Sequence, residues 1–570
     1  MNDKYAALFQ AWRELYPDQS ENILLELIRE LDDFRSKLNL EPLEKEWYKD
    51  AVVYSLYVDL FNRDFRGLTE RLDYLQDLGV NCLWLLPILD SPMRDAGFDI
   101  SDYRKIRPEL SGLGPDATPE DLDRIFRKFL EEAHNRGLKV IFDIATNHIS
   151  DQHPWFLEAM KSKDNPYRDF FIWSKDDRGY PEARIIFYGI EESNWKKAGD
   201  EYYFHRFFDF QPDLNYKNPR VLVEMSRNLL YWIERGVDGF RADAIPYIWK
   251  EQGTPCENHP KTHIVVKFFR GVLEAVRPGM LLLAEACQKP NEVVKYFGNG
   301  DECNAGYHFP LMPQIFKALA MQDREPVFHT LSRSVTPDIP SSAQWFTFLR
   351  CHDELSLELV YVTEDDRKYI HESYCRRPEW DFRLGQGISA RLSELMERDP
   401  ARIGLILSVM LTLPGTPVIY YGDEFGKLND EDFYKEMIRT VGKDDTRFLV
   451  RGKIDWGKVG AELADKSSYS SNVFSQVKSM LKARNEFRVF GKGDITWLDM
   501  VKEDGSAATG VLAFIRSYGD RKALVIHNLT KGEMRLKWDY PSFRVLAGGT
   551  PNVYGGIISL EPYSYHWLAI

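Results

Sequence analysis

The chain has 570 residues, 44 % of them hydrophobic and 28 % charged, which is enough to bury large cores and too long for one small module. Lys and Arg number 74 against 88 Asp and Glu, a formal charge of −14. That balance excludes the basic excess of a nucleic-acid binder and disfavours docking to an anionic membrane. Aromatic residues at 14 % suit a generous core first, and a cleft that packs ring faces on sugars second. The cysteines (Cys82, Cys256, Cys287, Cys303, Cys351, Cys375) are scattered with no C-x-x-C pair, which reads as free thiols in a reducing compartment. The opening MNDKYAALFQ lacks an apolar signal core, and the longest apolar stretch, Ile403 to Tyr421, is broken by Pro414 and Gly415. A soluble cytoplasmic protein is expected.

Residues 1–46 read as a helical extension, with apolar residues at helical spacing in LLELIRELDDFRSKL. Short apolar runs then alternate with amphipathic segments. The runs are VVYSLYV (52–58), CLWLLP (82–87), KVIFDIA (139–145), VDGFRADA (237–244), MLLLAEA (280–286), AGYHF (305–309), WFTFLRC (345–351) and VIYYG (418–422). Helical patterns such as DLDRIFRKFLEEAHNRG fill most gaps. The pattern predicts an α/β fold, a (β/α)8 barrel of the TIM type over residues 47–490. A doubly wound open sheet is second, but no G-x-G-x-x-G follows the first strand. Residues 149–216, after the third strand, and 354–400, after the seventh, are too long for simple crossovers and read as insertions on the functional rim. Residues 491–570 turn to short alternating strands, an expected C-terminal β-sandwich.

In a parallel barrel, function collects where the strands end. The third run ends Asp143-Ile144-Ala145-Thr146-Asn147-His148, the fourth Arg241-Ala242-Asp243, the fifth Glu285-Ala286 and the seventh Arg350-Cys351-His352-Asp353-Glu354. Charges inside apolar runs are costly unless paired. One such case would suit a structural ion pair; four at the same rim point to a site. Arg241 and Asp243 lie two apart on a strand and project to the same side, so the arginine is expected to hold Asp243 ionised, as a nucleophile requires. Glu285, between alanines with no local cation, is expected to be desolvated and to act as general acid. Neighbouring strands lie about 4.8 Å apart, which allows carboxyl groups about 5–5.5 Å apart, the separation of a retaining glycosidase. Asp353 is a third carboxylate. A metal hydrolase built on Asp143, His148, Asp243 and His352 is the competing reading, weakened by the lack of H-x-H or H-E-x-x-H.

The segments FDIATNH, GFRADAI, LLAEA and FLRCHDE resemble the signature regions of the alpha-amylase superfamily of retaining glycoside hydrolases, and Gln211-Pro212-Asp213-Leu214-Asn215 resembles its fifth region. The resemblance runs over about residues 47–426, and within the superfamily it is closest to the trehalose synthases through WYKDAVVYSLYV, GTPCENHPKTH, GDECNAGYHFPLMP and LPGTPVIYYGDE. It implies Asp243 as nucleophile, Glu285 as general acid/base and Asp353 as transition-state stabiliser. It also implies that Asp99, Phe98, His148, Arg241 and His352 hold a glucosyl ring. The implied substrate is a disaccharide-sized α-glucoside, with maltose converted to trehalose and some hydrolysis. Hydrolysis of, or transfer from, another small α-glucoside is the alternative, and an inactive barrel serving as a binding subunit a remote one. A homo-oligomer stays open.

The sequence departs from the pattern in places. Phe98 replaces a tyrosine and Cys351 an asparagine. Residues 427–456 lack the R-T-P-M-Q-W segment, which only Arg439-Thr440 and Trp456 echo. Lys250 stands where the pattern has a carboxylate ligand of calcium. Calcium takes six to eight oxygen ligands, and an ammonium would be repelled by it. The Lys250 ammonium is therefore expected to sit in the cation's place, bonded to Asn147 and Asp213; Glu251 as a substitute ligand is the alternative. No metal or other cofactor is expected.

Overall fold

The computed structural model describes residues 3–38, 40–114, 117–442 and 444–570. Residues 1, 2 and 39 of the helical extension and Lys443 of the 427–456 segment lie outside the described residues. Each of the apolar runs named above contributes a strand to one closed parallel barrel: β1 (Val53–Leu56), β2 (Cys82–Leu85), β3 (Lys139–Ala145), β4 (Gly239–Asp243), β5 (Leu281–Ala284), β6 (Ala305–Tyr307), β7 (Gln344–Phe348) and β8 (Thr416–Tyr420). β8 pairs with β1 to close the ring. Strands β1, β2, β5, β7 and β8 are buried throughout, as continuous apolar runs in a parallel barrel should be.

The extension forms α1 (Ala6–Leu15) and α2 (Asn22–Leu38), which lie on the outside of the barrel. The barrel helices have readable boundaries. In α3 (Pro119–Asn135), Thr118 and Asp121 make a reciprocal capping box, Pro119 opens the first turn, and Leu122, Phe126, Phe129, Leu130 and Ala133 are buried. α4 (Pro219–Arg235) starts at the Asn218 cap and ends at Gly236, whose φ of 106° suits glycine. α5 (Pro260–Val276) receives the extension. A β-carbon on Gly271 of α5 would stand 2.7 Å from Leu8 Cδ2, so glycine permits α1 to approach. Tyr16 donates to the Tyr216 carbonyl at 2.8 Å, and Arg227 of α4 pairs with Glu30 of α2 at 2.6 Å.

Strand register aims the rim residues. Asp143 of β3 is level with Arg241 of β4, and Ala242 of β4 with Ala284 of β5, so Asp243 and Glu285 leave adjacent strands at the same height. Gly239 lets β4 and β5 meet, since a β-carbon there would stand 2.5 Å from the Leu281 carbonyl oxygen.

Both long excursions build small structures over the rim. The 149–216 insertion carries a three-stranded sheet of Trp173–Ser174, Trp195–Ala198 and Glu201–Phe204. The 354–400 insertion carries α6 (Glu364–Tyr374) and a hairpin of Asp381–Phe382 with Gly387–Ile388. The seventh strand ends at Phe348, earlier than the run WFTFLRC suggests, because Arg350 turns inward to donate to the Ala390 and Asp353 carbonyls at 2.7 and 2.9 Å.

After α7 (Pro400–Thr412) and α8 (Tyr469–Phe487), the chain forms a five-stranded antiparallel sheet with a three-stranded one behind it. The seam between α7 and these sheets is dry but polar. Trp567 and His527 meet the Ser408 hydroxyl at 2.7 and 2.9 Å. Arg516, 1 % exposed, donates to the carbonyls of Thr412, Phe490 and Gly493 at 2.6–2.9 Å. Removing that guanidinium would strand buried acceptors, each worth about 1–3 kcal/mol. We expect Arg516→Met to lower the unfolding free energy by about 3 kcal/mol or more, read from urea unfolding curves.

Candidate active site

The ends of the strands enclose a cavity of about 170 Å3. Its floor is Trp84, Arg241, Tyr307 and Phe348; Asp243, Glu285 and Asp353 stand on its wall with His148, His352, Phe98 and Asp95. The insertions roof it, with Arg184, Phe187 and Phe207 from one and Phe382 and Arg383 from the other. The Arg383 guanidinium lies over the rings of Phe187 at 4.4 Å and Phe382 at 4.7 Å, which joins the two roofs.

Arg241 is the hub. Its Nη1 contacts Asp143 Oδ1 at 2.7 Å and Asp243 Oδ1 at 2.6 Å, and its Nη2 stands 3.9 Å from Glu285 Oε1. Asp143 is fixed from behind by Trp84 Nε1 at 2.7 Å. Glu285 Oε2 accepts from the Ala244 backbone N–H at 2.9 Å. Glu285 thus does have a cation nearby, contrary to the sequence expectation. Burial pushes the Asp243 carboxyl well above the usual range; Arg241 opposes this, while Glu285 and Asp143 add to it. The expectation of an Asp243 held down by Arg241 is corrected on the same ground, because the arginine is shared with Asp143 and Glu285 and the carboxyl group is buried.

Asp353 is in the opposite position. Burial works against its charge, but His352 when protonated, and Arg447 and Arg451 at every pH, outweigh burial and hold the carboxyl well below the usual range. Arg447 Nη1 and Arg451 Nη2 lie 3.1 and 3.0 Å from its Oδ1. Burial lowers His148 to about 4 and His352 to about 3, so both rings are neutral at pH 7. Nε2 of His148 and Nδ1 of His352 have no hydrogen-bond partner among the described residues. Phe98 stacks on His352 at 5.5 Å and keeps an apolar face toward the cavity.

Of the residues singled out in the sequence, Asp243, Glu285, Asp353, His148, Arg241, His352 and Phe98 come together on the cavity wall. Asp99 does not line it: this fully buried carboxylate accepts from Ser91 Oγ and from the backbone N–H groups of Arg94 and Asp95 at 2.8–3.1 Å, and so braces the loop. Asp95 lines the cavity instead, with burial raising it to about 6. The 427–456 segment also differs from expectation. Arg439 and Thr440 are exposed on a surface helix, and Trp456 donates to the Phe61 carbonyl at 2.6 Å, away from the cavity. Arg447 and Arg451, one helical turn apart in DDTRFLVR, are the residues of this segment that reach Asp353. Two arginines at that spacing beside Asp445 were the available signal. Asp143, His148, Asp243 and His352 do not converge as a metal-ligand group among the described residues.

Beneath the 149–216 insertion, Lys250 Nζ lies 2.6 Å from Asn147 Oδ1, 2.8 Å from Asp213 Oδ2 and 3.4 Å from the Ile248 carbonyl oxygen. Glu251 turns elsewhere, to Trp249 Nε1 at 3.0 Å. A donor set already centred on an ammonium does not fit calcium.

A parallel barrel that gathers paired carboxyl groups around a buried guanidinium under an aromatic roof is an enzyme's active site, of the kind that works on glycosidic bonds. Residues 47–376 match the family model "Alpha amylase, catalytic domain". The chain is 41 % identical over 503 residues to the trehalose synthase/amylase of Mycolicibacterium smegmatis, covering 83 % of this chain and 81 % of the relative. It is 36 % identical over 573 residues to the trehalose synthase of Pimelobacter sp., covering 92 % and 96 %. Among solved structures it resembles the alpha-amylase from H. orenii (TM-score 0.69, 24 % identity, 91 % of this chain and 99 % of that one) and a trehalulose synthase (TM-score 0.68, 23 % identity, 92 % and 100 %). The chain belongs to the alpha-amylase family of enzymes.

Glu354 offers a pH test of the dry wall. Burial, and next the Asp353 charge, push it up to about 7, and its Oε2 has no hydrogen-bond partner among the described residues. Its protonated form is favoured by folding, so its contribution is complete below the ordinary carboxylate range and is lost as pH rises toward 7. We expect that loss to be about 3 kcal/mol between the ordinary range and pH 7. Urea unfolding at pH 4.5 and 7 should show it in the wild type and not in Glu354→Gln.

Proposed function

We propose that the protein is a retaining α-glucosyl-transferring enzyme of the trehalose synthase type, which interconverts maltose and trehalose with some hydrolysis. The observation that carries this is the charge pattern around Arg241, which contacts Asp243 at 2.6 Å and Glu285 only at 3.9 Å. The close guanidinium opposes the effect of burial on Asp243 and fixes that carboxyl group at the cavity wall. Asp243 is then the nucleophile that attacks the anomeric carbon, and Glu285 gives its proton to the leaving oxygen. The glucosyl group becomes bonded to Asp243 while the bond to the leaving sugar breaks. Asp353, kept ionised by its two arginines, stabilises positive charge at the ring. Glu285, now a base, takes the proton of the acceptor hydroxyl as that oxygen displaces Asp243. The roof made by Phe187, Phe382 and Arg383 favours retention of the freed glucose, whose 1-hydroxyl can become the acceptor. The names of the relatives, trehalose synthases at 36 % and 41 % identity, support the same substrate class, a disaccharide-sized α-glucoside.

A second reading, hydrolysis of or transfer from another small α-glucoside, is favoured by the 427–456 segment, which departs from the relatives' pattern close to the acceptor side. Incubation with maltose, trehalose and sucrose separately, followed by resolution of the sugars, separates the readings. Trehalose from maltose supports the first; glucose alone from maltose rejects it. Asp243→Asn and Glu285→Gln should each cut turnover by at least about 10²–10⁴ with an unchanged circular dichroism spectrum.

We also propose that the enzyme works without calcium, because Lys250 holds the oxygens of Asn147 and Asp213 that a cation would need. Activity and melting temperature of the chelator-treated protein should be indifferent to added calcium. Lys250→Ala should cost about 3–5 kcal/mol by leaving the buried Asp213 charge without its cation. A melting temperature or activity that rises with added calcium would reject this. The free cysteines fit a reducing cytoplasm, and among the described residues no helix is long and apolar enough to cross a membrane.

A further inference from the structure

Two groups of His, Cys and Asp side chains among the described residues bring ligating atoms together. One, Cys351–His352–Asp353, belongs to the catalytic cavity. The other, His371–Cys375–Asp381, has no part in the chemistry above. His371 lies in the last turn of α6 and Cys375 is its C-cap, four residues on, so both side chains leave the same face of the helix end. Asp381 opens the roof hairpin after the turn Pro378–Trp380. The imidazole, thiol and carboxylate donor atoms all lie within 4.8 Å of one another, with His371 Nε2 and Asp381 Oδ1 2.7 Å apart. A tetrahedral zinc ion bonded to N, O and S at about 2.0–2.3 Å sets its donors about 3–4 Å from each other, so adjustments of about an ångström would complete the shell.

A bare His371–Asp381 contact would tie helix to hairpin without metal and leave Cys375 a bystander. The surroundings favour a cation. The Asp381 carboxylate, with its ligating oxygen within 4.8 Å of the sulfur, sets a negative field there. The C-terminal end of α6 adds to that field. The His371 and Asp381 side chains are 27 % and 30 % exposed, so an ion and a water ligand can reach them.

We propose that His371, Cys375 and Asp381 form a binding site for a zinc-like divalent cation that fastens α6 to the roof hairpin. On binding, Cys375 releases its proton to solvent. Its sulfur, His371 Nε2 and an Asp381 oxygen each donate an electron pair, and water takes the fourth position. The consequence reaches the active site along a short path. Asp381 Oδ1 also accepts from the Gly385 N–H at 2.8 Å, across the tip that contains Arg383 and Leu384, both left-handed at φ 47° and 55°. The adjoining Phe382 and Arg383 roof the catalytic cavity. A metal on Asp381 therefore stiffens the hairpin that roofs the cavity.

The test uses the full chain, stripped with a chelator and titrated with Zn2+ by calorimetry and with Co2+ by absorption. We expect uptake of one ion at this site, release of a proton, a thiolate-to-cobalt charge-transfer band and a higher melting temperature. Cys375→Ser and His371→Ala should each weaken uptake by about tenfold or more, and Cys375→Ser should abolish the band. Both replaced groups are partly exposed, so the metal-free melting temperature should be little changed and the variants remain readable. A wild type that takes up no metal overturns the proposal. So does a cobalt band that persists in Cys375→Ser, which would assign the ion to Cys351 in the catalytic cavity.

Discussion

A single buried guanidinium, that of Arg241, sets the terms on which the rim of the barrel can exist. Carboxyl groups from three adjacent strands surround it, and none of them could be buried ionised without it. One cation cannot satisfy three carboxylates, so the cluster keeps a proton. In the proposed mechanism that shortage leaves a proton free to pass between a carboxyl group and the substrate. The strand register makes the arrangement unavoidable, because Asp143 is level with Arg241 and the ends of β4 and β5 are level with each other.

Asp353 shows the contrasting solution. It stands on the same wall, yet Arg447 and Arg451 both contact one of its oxygens, and its carboxyl is held well below the usual range. The arginines come from a segment almost a hundred residues downstream of it. Charge at this position is permanent, whereas charge around Arg241 can move. The retaining mechanism proposed above, which takes up and returns a proton while stabilising a cationic ring, would use both kinds of carboxylate.

The roof follows the same logic at lower energy. Apolar rings exclude water, which strengthens every charge interaction beneath them. Arg383, stacked between Phe187 and Phe382, belongs to neither the floor nor the catalytic pairs. It links two insertions that are far apart in the chain.

Much of this was legible in the sequence. Strands buried on both faces need continuous apolar runs, and each of the runs from VVYSLYV to VIYYG is a barrel strand. Charges that end such runs have few structural uses, so Asp243, Glu285, Arg241, His148, His352 and Asp353 could be picked out by position. Lys250 in place of an acidic residue was visible as a sign reversal. What the sequence could not decide was contact across distance. Asp95 rather than Asp99 lines the cavity because the loop between them folds so that backbone N–H groups satisfy Asp99. Arg447 rather than Arg439 reaches the site because a short turn after a surface helix swings it inward. The raised Asp243 depends on how many neighbours share one arginine. Local pattern determines which residues form strands and where charge sits along them, since periodicity and burial act on neighbours in the chain. The protonation of a cluster depends on the whole set of charges and the water excluded around it, and only the closed barrel with its roof brings that set together.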